Sequence, residues 1–312
     1  MPIFKPRPSS LDDKESPLLP DAWTVLRLIR WTDERFKKEG LLNPRLDAEV
    51  LLGSTLGMDR VGLYTHFDQP LAPAELEHFK KLIQRRLRHE PIAYILGKRE
   101  FWSLSFKVTP EVLIPRPETE VLVAEALRLL YPMAKPGEPL RVLEIGTGCG
   151  AISVALAKEL PEAFITATDI SSKALEIAQE NATQNGVGQR LHFLQGNLFS
   201  PFEQGLPFEL IITNPPYIPH DQLLTLAPEV RNYEPWEALD GGEEGLNYFR
   251  RILPKVTEFL RPKGWFLSEI GAGQDEKIQS IARQNDQLNS GSFIQDLAGI
   301  KRVFKAQKNS AS

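Results

Sequence analysis

One cysteine in 312 residues is too few for an internal disulfide. That excludes a disulfide scaffold and fits a reducing compartment. No apolar run approaches the roughly 18 residues of a membrane span. The opening Met1-Pro2-Ile3-Phe4-Lys5-Pro6-Arg7-Pro8 lacks the apolar core of a signal peptide. A cytoplasmic location is expected, with no membrane partner. Basic excess is also missing: the net charge is -4. This argues against a general nucleic-acid binder, although a local basic patch remains compatible with it. There is no internal repeat, and no metal site is expected.

What is present is a globular composition, 42% hydrophobic and 25% charged, in a chain long enough for two domains. Residues 1–20 hold five prolines and little periodicity, so a flexible extension is expected. Asp21 is placed to cap a helix running to about Glu39, with Trp23, Leu26, Ile29 and Phe36 on one face and Gly40 as its stop. Asn43-Pro44 opens a second helix and Gly57 comes after its end, the usual Pro-first, Gly-last asymmetry. A short third helix is expected over Arg60 to Thr65, and a fourth from Pro73 to about His89. Residues 21–100 therefore read as a small all-α bundle. The fourth helix carries Lys80, Lys81, Arg85, Arg86 and Arg88. Such a run is usually a solvated face; the functional alternative is a contact for an acidic partner or ribosomal RNA.

Phe101 to Val108 alternates apolar and polar residues, a strand signal, and Pro110, Pro115 and Pro117 punctuate the next stretch. Residues 101–118 read as a hairpin-like connector, with Glu118 to Leu130 as the next helix. From Leu140 strands and helices alternate. Strands are expected at 140–145, 164–168, 191–196, 208–213 and 264–270, then a final pair at 292–297 and 301–306. Helices are expected at 151–160, 171–185, 246–260 and 274–285. This is an α/β pattern with a mostly parallel sheet, helices on both faces and an antiparallel edge.

Two motifs carry chemistry. Val142-Leu143-Glu144-Ile145 runs into Gly146-Thr147-Gly148-Cys149-Gly150, where glycine permits positive φ and close approach of a ligand. The next strand ends in Asp169, placed to accept hydrogen bonds from a ribose diol. A nucleoside-bearing cofactor is implied, but this pair alone does not separate NAD from S-adenosylmethionine. The second motif is Asn214-Pro215-Pro216-Tyr217 at the end of the apolar run 208–212. Each proline restricts the residue before it, the Asn214 side chain adds a carbonyl acceptor, and Tyr217 adds a flat ring. Together they suit a planar –NH2 group. A nicotinamide enzyme has no use for such a clamp, whereas a methyltransferase acting on a planar nitrogen does. The plainer alternative is a tight structural turn. Gly146, Asp169, Asn197 and Asn214 all lie at strand ends, where one crevice can collect them.

With these residues in view, the catalytic half resembles a class I S-adenosylmethionine-dependent methyltransferase. From about residue 22 the chain resembles the bacterial peptide chain release factor glutamine N5-methyltransferases. The matching stretches are Leu46-Asp47-Ala48-Glu49, Glu90 to Gly97, Arg99 to Trp102 and Leu113-Ile114-Pro115-Arg116-Pro117-Glu118-Thr119-Glu120. They continue through the glycine loop, Asn214 to Pro219, Pro228 to Pro235 and Ala238-Leu239-Asp240-Gly241-Gly242.

The resemblance implies a seven-stranded Rossmann-like methyltransferase domain over 119–306, a flexible tail at 307–312, and a helical domain over 21–100 that docks the release factor. It implies S-adenosyl-L-methionine as cofactor and the glutamine of the Gly-Gly-Gln motif in class 1 release factors as acceptor. Gly146, Thr147, Gly148, Cys149 and Gly150 would wrap the methionine end, Asp169 would hold the ribose, and Asn197 and Leu198 would flank the adenine. Asn214, Pro215, Pro216 and Tyr217 would hold the glutamine amide, with Phe101 and Tyr217 sandwiching its plane. A monomer without stable nucleic-acid binding is expected.

Asn197 stands where the family commonly has Asp, so an adenine N6 hydrogen bond would fall to its amide oxygen. Gly299-Ile300-Lys301-Arg302-Val303 departs from a more usual Gly-Arg-Asp-Arg-Val-like run, at an expected surface position. Cys149 reads as a small buried side chain, His220 as part of a solvent-facing loop, and Arg116 and Glu118 as organisers of the connector, with substrate contact as the alternative. No obvious His or Glu base is present, and methyl transfer to an amide needs none. The rival readings are glutamine methylation of a ribosomal large-subunit protein, adenine N6 methylation, and a non-catalytic cofactor-binding module.

Overall fold

The computed structural model describes residues 23–135, 137–202 and 207–310. The expected N-terminal extension, the Asp21 cap and the last two residues of the expected tail lie outside them. The chain forms two compact units that divide at Arg88 and His89.

Among the described residues the first unit has four helices: α1 Val25–Lys38, α2 Pro44–Leu56, α3 Arg60–Thr65 and α4 Pro73–Arg86. Helix α1 buries Val25, Leu28, Ile29, Thr32, Asp33 and Phe36, so Ile29 and Phe36 of the expected face are in the core while Trp23 and Leu26 are only partly buried. Pro44 opens α2 and Gly57, at φ 65°, closes it. The Leu46-Asp47-Ala48-Glu49 stretch ties the bundle together. Asp47 accepts from Arg86 Nε at 2.7 Å. Glu49, 1% exposed, accepts from Arg45 at 3.0 Å, from Arg60 at 2.8 Å and from the Tyr64 hydroxyl. Those donors hold its carboxyl below the usual range against the opposing pull of burial. Arg86 therefore leaves the expected solvated basic run: it is 4% exposed and paired in the core.

The second unit begins with a short helix, α5 Ile92–Leu96, which the sequence reading did not anticipate because five residues carry no readable period. The hairpin β1 Lys98–Phe101 and β2 Leu104–Lys107 comes next. Its turn, Trp102-Ser103, has φ of 52° and 55°, the mirror-image turn form that matches strand twist. The single strand signal over 101–108 is thus split by a turn without glycine.

Helix α6 Glu120–Leu130 leads into β3 Leu140–Ile145, α7 Ala151–Glu159, β4 Ala163–Asp169, α8 Ser172–Gln184, β5 Leu191–Gln195 and β6 Phe208–Thr213. The rest is α9 Pro228–Arg231, α10 Asn247–Ile252, α11 Val256–Phe259, β7 Leu260–Glu269, α12 Asp275–Ala282, β8 Ser292–Gln295 and β9 Lys301–Gln307. One helix expected over 246–260 is two, because Pro254 has no N–H to continue the ladder. Strand β7 begins before the expected residue 264 because a register shift carries Arg261 to Gly264 between its pairings with Phe208 and Leu210.

Seven strands form one sheet in the order β5-β4-β3-β6-β7-β9-β8. All neighbours are parallel except β9, antiparallel to both β7 and β8. Adjacent strand residues face opposite ways. Val142, Leu210 and Ile212 join α6, α7 and α8 in one core, while Leu143, Ile211 and Phe266 join α10, α11 and α12 in the other. Both faces of the sheet are therefore covered. Among the described residues no helix is long and apolar enough to cross a membrane.

Candidate active site

The strand order reverses between β3 and β6, so their carboxyl ends open a crevice at a topological switch point. Register decides what lines it. Ile145 pairs with Thr168 and Thr213, and Thr213 pairs with Ser268. The next residues, Gly146, Asp169, Asn214 and Glu269, therefore emerge at one level. A cavity of about 440 Å³ lies there.

Gly146, Gly148 and Gly150 take φ of 74°, 55° and 82°, a path closed to most L residues. Asp169 braces the loop: one carboxylate oxygen accepts from Gly148 N at 2.9 Å and the other from Ser171 N at 3.0 Å. Burial raises the Asp169 pKa, and these backbone donors oppose the shift. Glu144, 1% exposed, accepts beneath the loop from Thr147 Oγ1 at 2.7 Å, Ser153 N at 3.1 Å and the Ser153 hydroxyl. Burial pushes its carboxyl up to about 7. Asn181 of α8 joins the loop to the hairpin, donating to Cys149 O at 2.8 Å and accepting from Lys107 N at 2.7 Å.

The Asn214 loop is held from three sides. Asn214 Nδ2 donates to Thr119 Oγ1 at 3.3 Å, Thr119 Oγ1 donates to Glu269 Oε2 at 2.6 Å, and the Tyr217 hydroxyl donates to Glu269 Oε1 at 3.0 Å. Behind it, Gln274 Nε2 donates to Tyr217 O at 2.9 Å and Ile218 N to Leu239 O at 3.0 Å. A Cβ on Gly245 would sit 2.1 Å from Tyr217 O, and one on Gly241 2.8 Å from Tyr217 Cα. The glycines after Ala238-Leu239-Asp240 thus allow two backbone segments to meet.

Of the residues named from sequence, Gly146, Thr147, Gly148, Cys149, Asp169, Asn197, Leu198, Asn214, Pro215 and Pro216 line the main cavity. Gly150 is behind the wall, where an added Cβ would press Ala178 at 3.1 Å. Tyr217 lines an adjoining cavity of about 190 Å³ that shares Arg116, Asn214 and Pro215 with the first. Phe101 is a correction: it is 2% exposed and packs edge-on against Phe106 at 6.2 Å, in the core and off the walls of both cavities. Hairpin pairing with Leu104 turns its ring inward.

The Asn197 amide oxygen, expected to face adenine, accepts from Arg251 Nη2 at 2.7 Å. Leu198 sits at φ 56°, an uncommon conformation for a branched residue. The Cys149 thiol is buried and pushed up to about 12, as a small packing residue would be. Arg116 pairs with buried Glu234, which also accepts from Ile114 N at 3.2 Å. His220 is exposed and paired with Asp240 at 2.7 Å. Sequence reasoning missed Glu144, Thr119 and Glu269. For Glu144 and Glu269 the available signal was an acidic residue at or near the end of an apolar strand, the same one that singled out Asp169; Thr119, in the turn ahead of α6, carried none.

Two family models match: PrmC N-terminal domain over residues 27–97 and Methyltransferase small domain over 123–229. The chain is 45% identical over 284 residues to a release factor glutamine methyltransferase of Geobacter sulfurreducens, covering 91% of this chain and 96% of that one. It is 40% identical over 286 residues to one from Rhodopirellula baltica, covering 92% and 97%. Among solved structures, a methyltransferase from Pyrococcus furiosus aligns with a TM-score of 0.50 at 17% identity, covering 72% of this chain and 98% of that one. That likeness concerns the fold.

Proposed function

Since the chain belongs to the release factor glutamine methyltransferase family, we propose that it methylates N5 of the glutamine in the Gly-Gly-Gln motif of class 1 peptide chain release factors, using S-adenosyl-L-methionine. The observation that carries the reading is the meeting of two devices at one switch point: a glycine loop braced by a strand-end carboxylate, and an Asn-Pro-Pro-Tyr loop whose Asn214 side chain is tied to Thr119.

The residues fit the cofactor. The cavity's volume of about 440 Å³ falls within the usual range for ligand sites, about 300–1,000 Å³. Cβ atoms on Gly146 or Gly148 would meet nothing within 4 Å, so these turns are open on that side. In this reading Gly146 to Cys149 hold the methionine end, Asp169 accepts from the ribose diol, and Asn197 and Leu198 flank the adenine. When bound, the cofactor supplies an activated methyl group on a sulfonium sulfur.

The remaining work falls to the chain's own residues. An amide nitrogen is a poor nucleophile because its lone pair is shared with the carbonyl. The Asn214 Oδ1 and Pro215 O atoms accept its two N–H bonds, aim the nitrogen into the cavity and favour its pyramidalising. Positioning of this kind can supply about 7–11 kcal/mol of a barrier, and acceptors facing positive charge on nitrogen add to it. The proton leaves to water after the new bond forms, so no general base is needed. The Tyr217 ring lies along the amide plane. The helical region contacts the release factor, and the protein works as a cytoplasmic monomer without stable nucleic-acid binding.

The test offers labelled methyl donor with three acceptors: a class 1 release factor, large-subunit ribosomal proteins, and RNA or DNA. Label in the release factor alone supports the reading. Label confined to a ribosomal protein or nucleic acid keeps the chemistry and overturns the substrate.

A further inference from the structure

We propose that Glu269 and Thr119 are positioning residues for the amide clamp: the buried carboxylate directs the Thr119 hydroxyl, and that hydroxyl decides which end of the Asn214 carboxamide faces the cavity. This rests on the reading of the crevice as a glutamine-amide site.

Counting protons fixes the direction of the chain. Glu269 is 2% exposed at the end of β7. An ionised carboxylate only accepts hydrogen bonds. Thr119 has one hydroxyl proton, and it points at Glu269 Oε2, 2.6 Å away. Its lone pairs then remain to accept from Asn214 Nδ2 at 3.3 Å. With Nδ2 engaged, Oδ1 is the end of the carboxamide left for a substrate N–H. A neutral group at position 269 that donates to Thr119 would reverse the order. Thr119 would donate to Asn214 Oδ1, and Nδ2 would meet the substrate –NH2 donor against donor.

The same carboxylate takes the Tyr217 hydroxyl on Oε1 at 3.0 Å. One buried group therefore anchors both side chains of the clamp. Burial raises the Glu269 carboxyl above its usual range; the Thr119 hydroxyl ahead of α6, the Tyr217 hydroxyl after β6 and the charge of Arg302 on β9 act against that shift and favour the ionised form, while Glu118 adds to it. A carboxylate taken out of water is costly unless its hydrogen bonds are met. A side chain serving only to fill this position would be better apolar. The β6–β7 register places Glu269 one residue beyond Ser268, the partner of Thr213, and so level with Asn214.

The experiment measures kcat on release factor and cofactor affinity by calorimetry for wild type, Glu269→Gln, Thr119→Val and Thr119→Ser. Both Glu269→Gln and Thr119→Val should lose about 10²-fold in kcat, the scale of a small misplacement in an oriented site, with cofactor affinity unchanged. Thr119→Ser keeps the hydroxyl and should restore turnover close to wild type. Wild-type kcat in both Glu269→Gln and Thr119→Val overturns the proposal, as does a Thr119→Ser variant as impaired as Thr119→Val. Should Glu269→Gln lose cofactor binding as well, the Val and Ser pair at 119 decides. A wild-type enzyme that labels nothing in the release factor refutes the underlying reading, and the proposal falls with it.

Discussion

Replacing Glu144 by Gln should flatten the pH dependence of stability. The side chain is 1% exposed beneath the glycine loop, and burial pushes its carboxyl up to about 7 from 4.5. A raised carboxyl pKa means that the folded state binds a proton more readily than the unfolded chain between those two values. Stability then falls as pH rises through that window, and the full cost is present above the folded pKa. At 1.36 kcal/mol per unit, the shift carries a cost of about 3 kcal/mol, most of which develops between pH 5 and pH 8. Thr147 and Ser153 donate to the carboxylate and keep the cost from being larger. Urea denaturation of wild type and Glu144→Gln at both pH values isolates the term, because every other group is common to the two proteins. Wild type should lose about 2–3 kcal/mol more than the variant on going to pH 8. Parallel pH profiles would refute the assignment of a titrating buried carboxyl.

Asn214→Ala should lower kcat by about 10²–10³-fold, the usual loss for one preorganised polar contact, while calorimetry finds cofactor affinity little changed. Retained turnover would remove the clamp. Asp169→Ala should weaken cofactor binding by about 10–100-fold, the value of a hydrogen bond to a charged group; unchanged affinity by calorimetry would contradict the ribose role. Asp47→Ala removes a buried carboxylate partner of the Arg86 guanidinium and should destabilise the helical unit by about 3–5 kcal/mol. Urea unfolding monitored by Trp fluorescence would show it, and a neutral outcome would refute the claim that this ion pair holds the bundle together.

Whatever a local pattern carries was legible in the sequence. The apolar runs 140–145 and 208–213 are strands over those same residues, and Pro44, Gly57 and Pro73 mark helix ends where the chain turns. The two motif loops could be read from their glycines and prolines. The features that escaped depend on partners distant in sequence. Arg86 reads as one more cation in a basic run until Asp47, 39 positions earlier, is seen against it. Thr119 and Glu269 lie 150 residues apart and meet only because β7 packs beside β6 and the segment before α6 crosses their ends. The hairpin turn at Trp102-Ser103 has no glycine or asparagine to announce it. Phe101 is assigned to the amide site along with the family resemblance, and the alternation of 101–108 does not say which side of a two-stranded ribbon is covered.

Methyl transfer to one glutamine is the claim on which the rest depends. The decisive assay incubates the enzyme with labelled S-adenosyl-L-methionine and either a class 1 release factor or the same factor with the Gly-Gly-Gln glutamine replaced. Label is expected on the first, localised by mass spectrometry to the side-chain nitrogen of that glutamine, and none on the second. Equal labelling of both factors, or none on either, would contradict it.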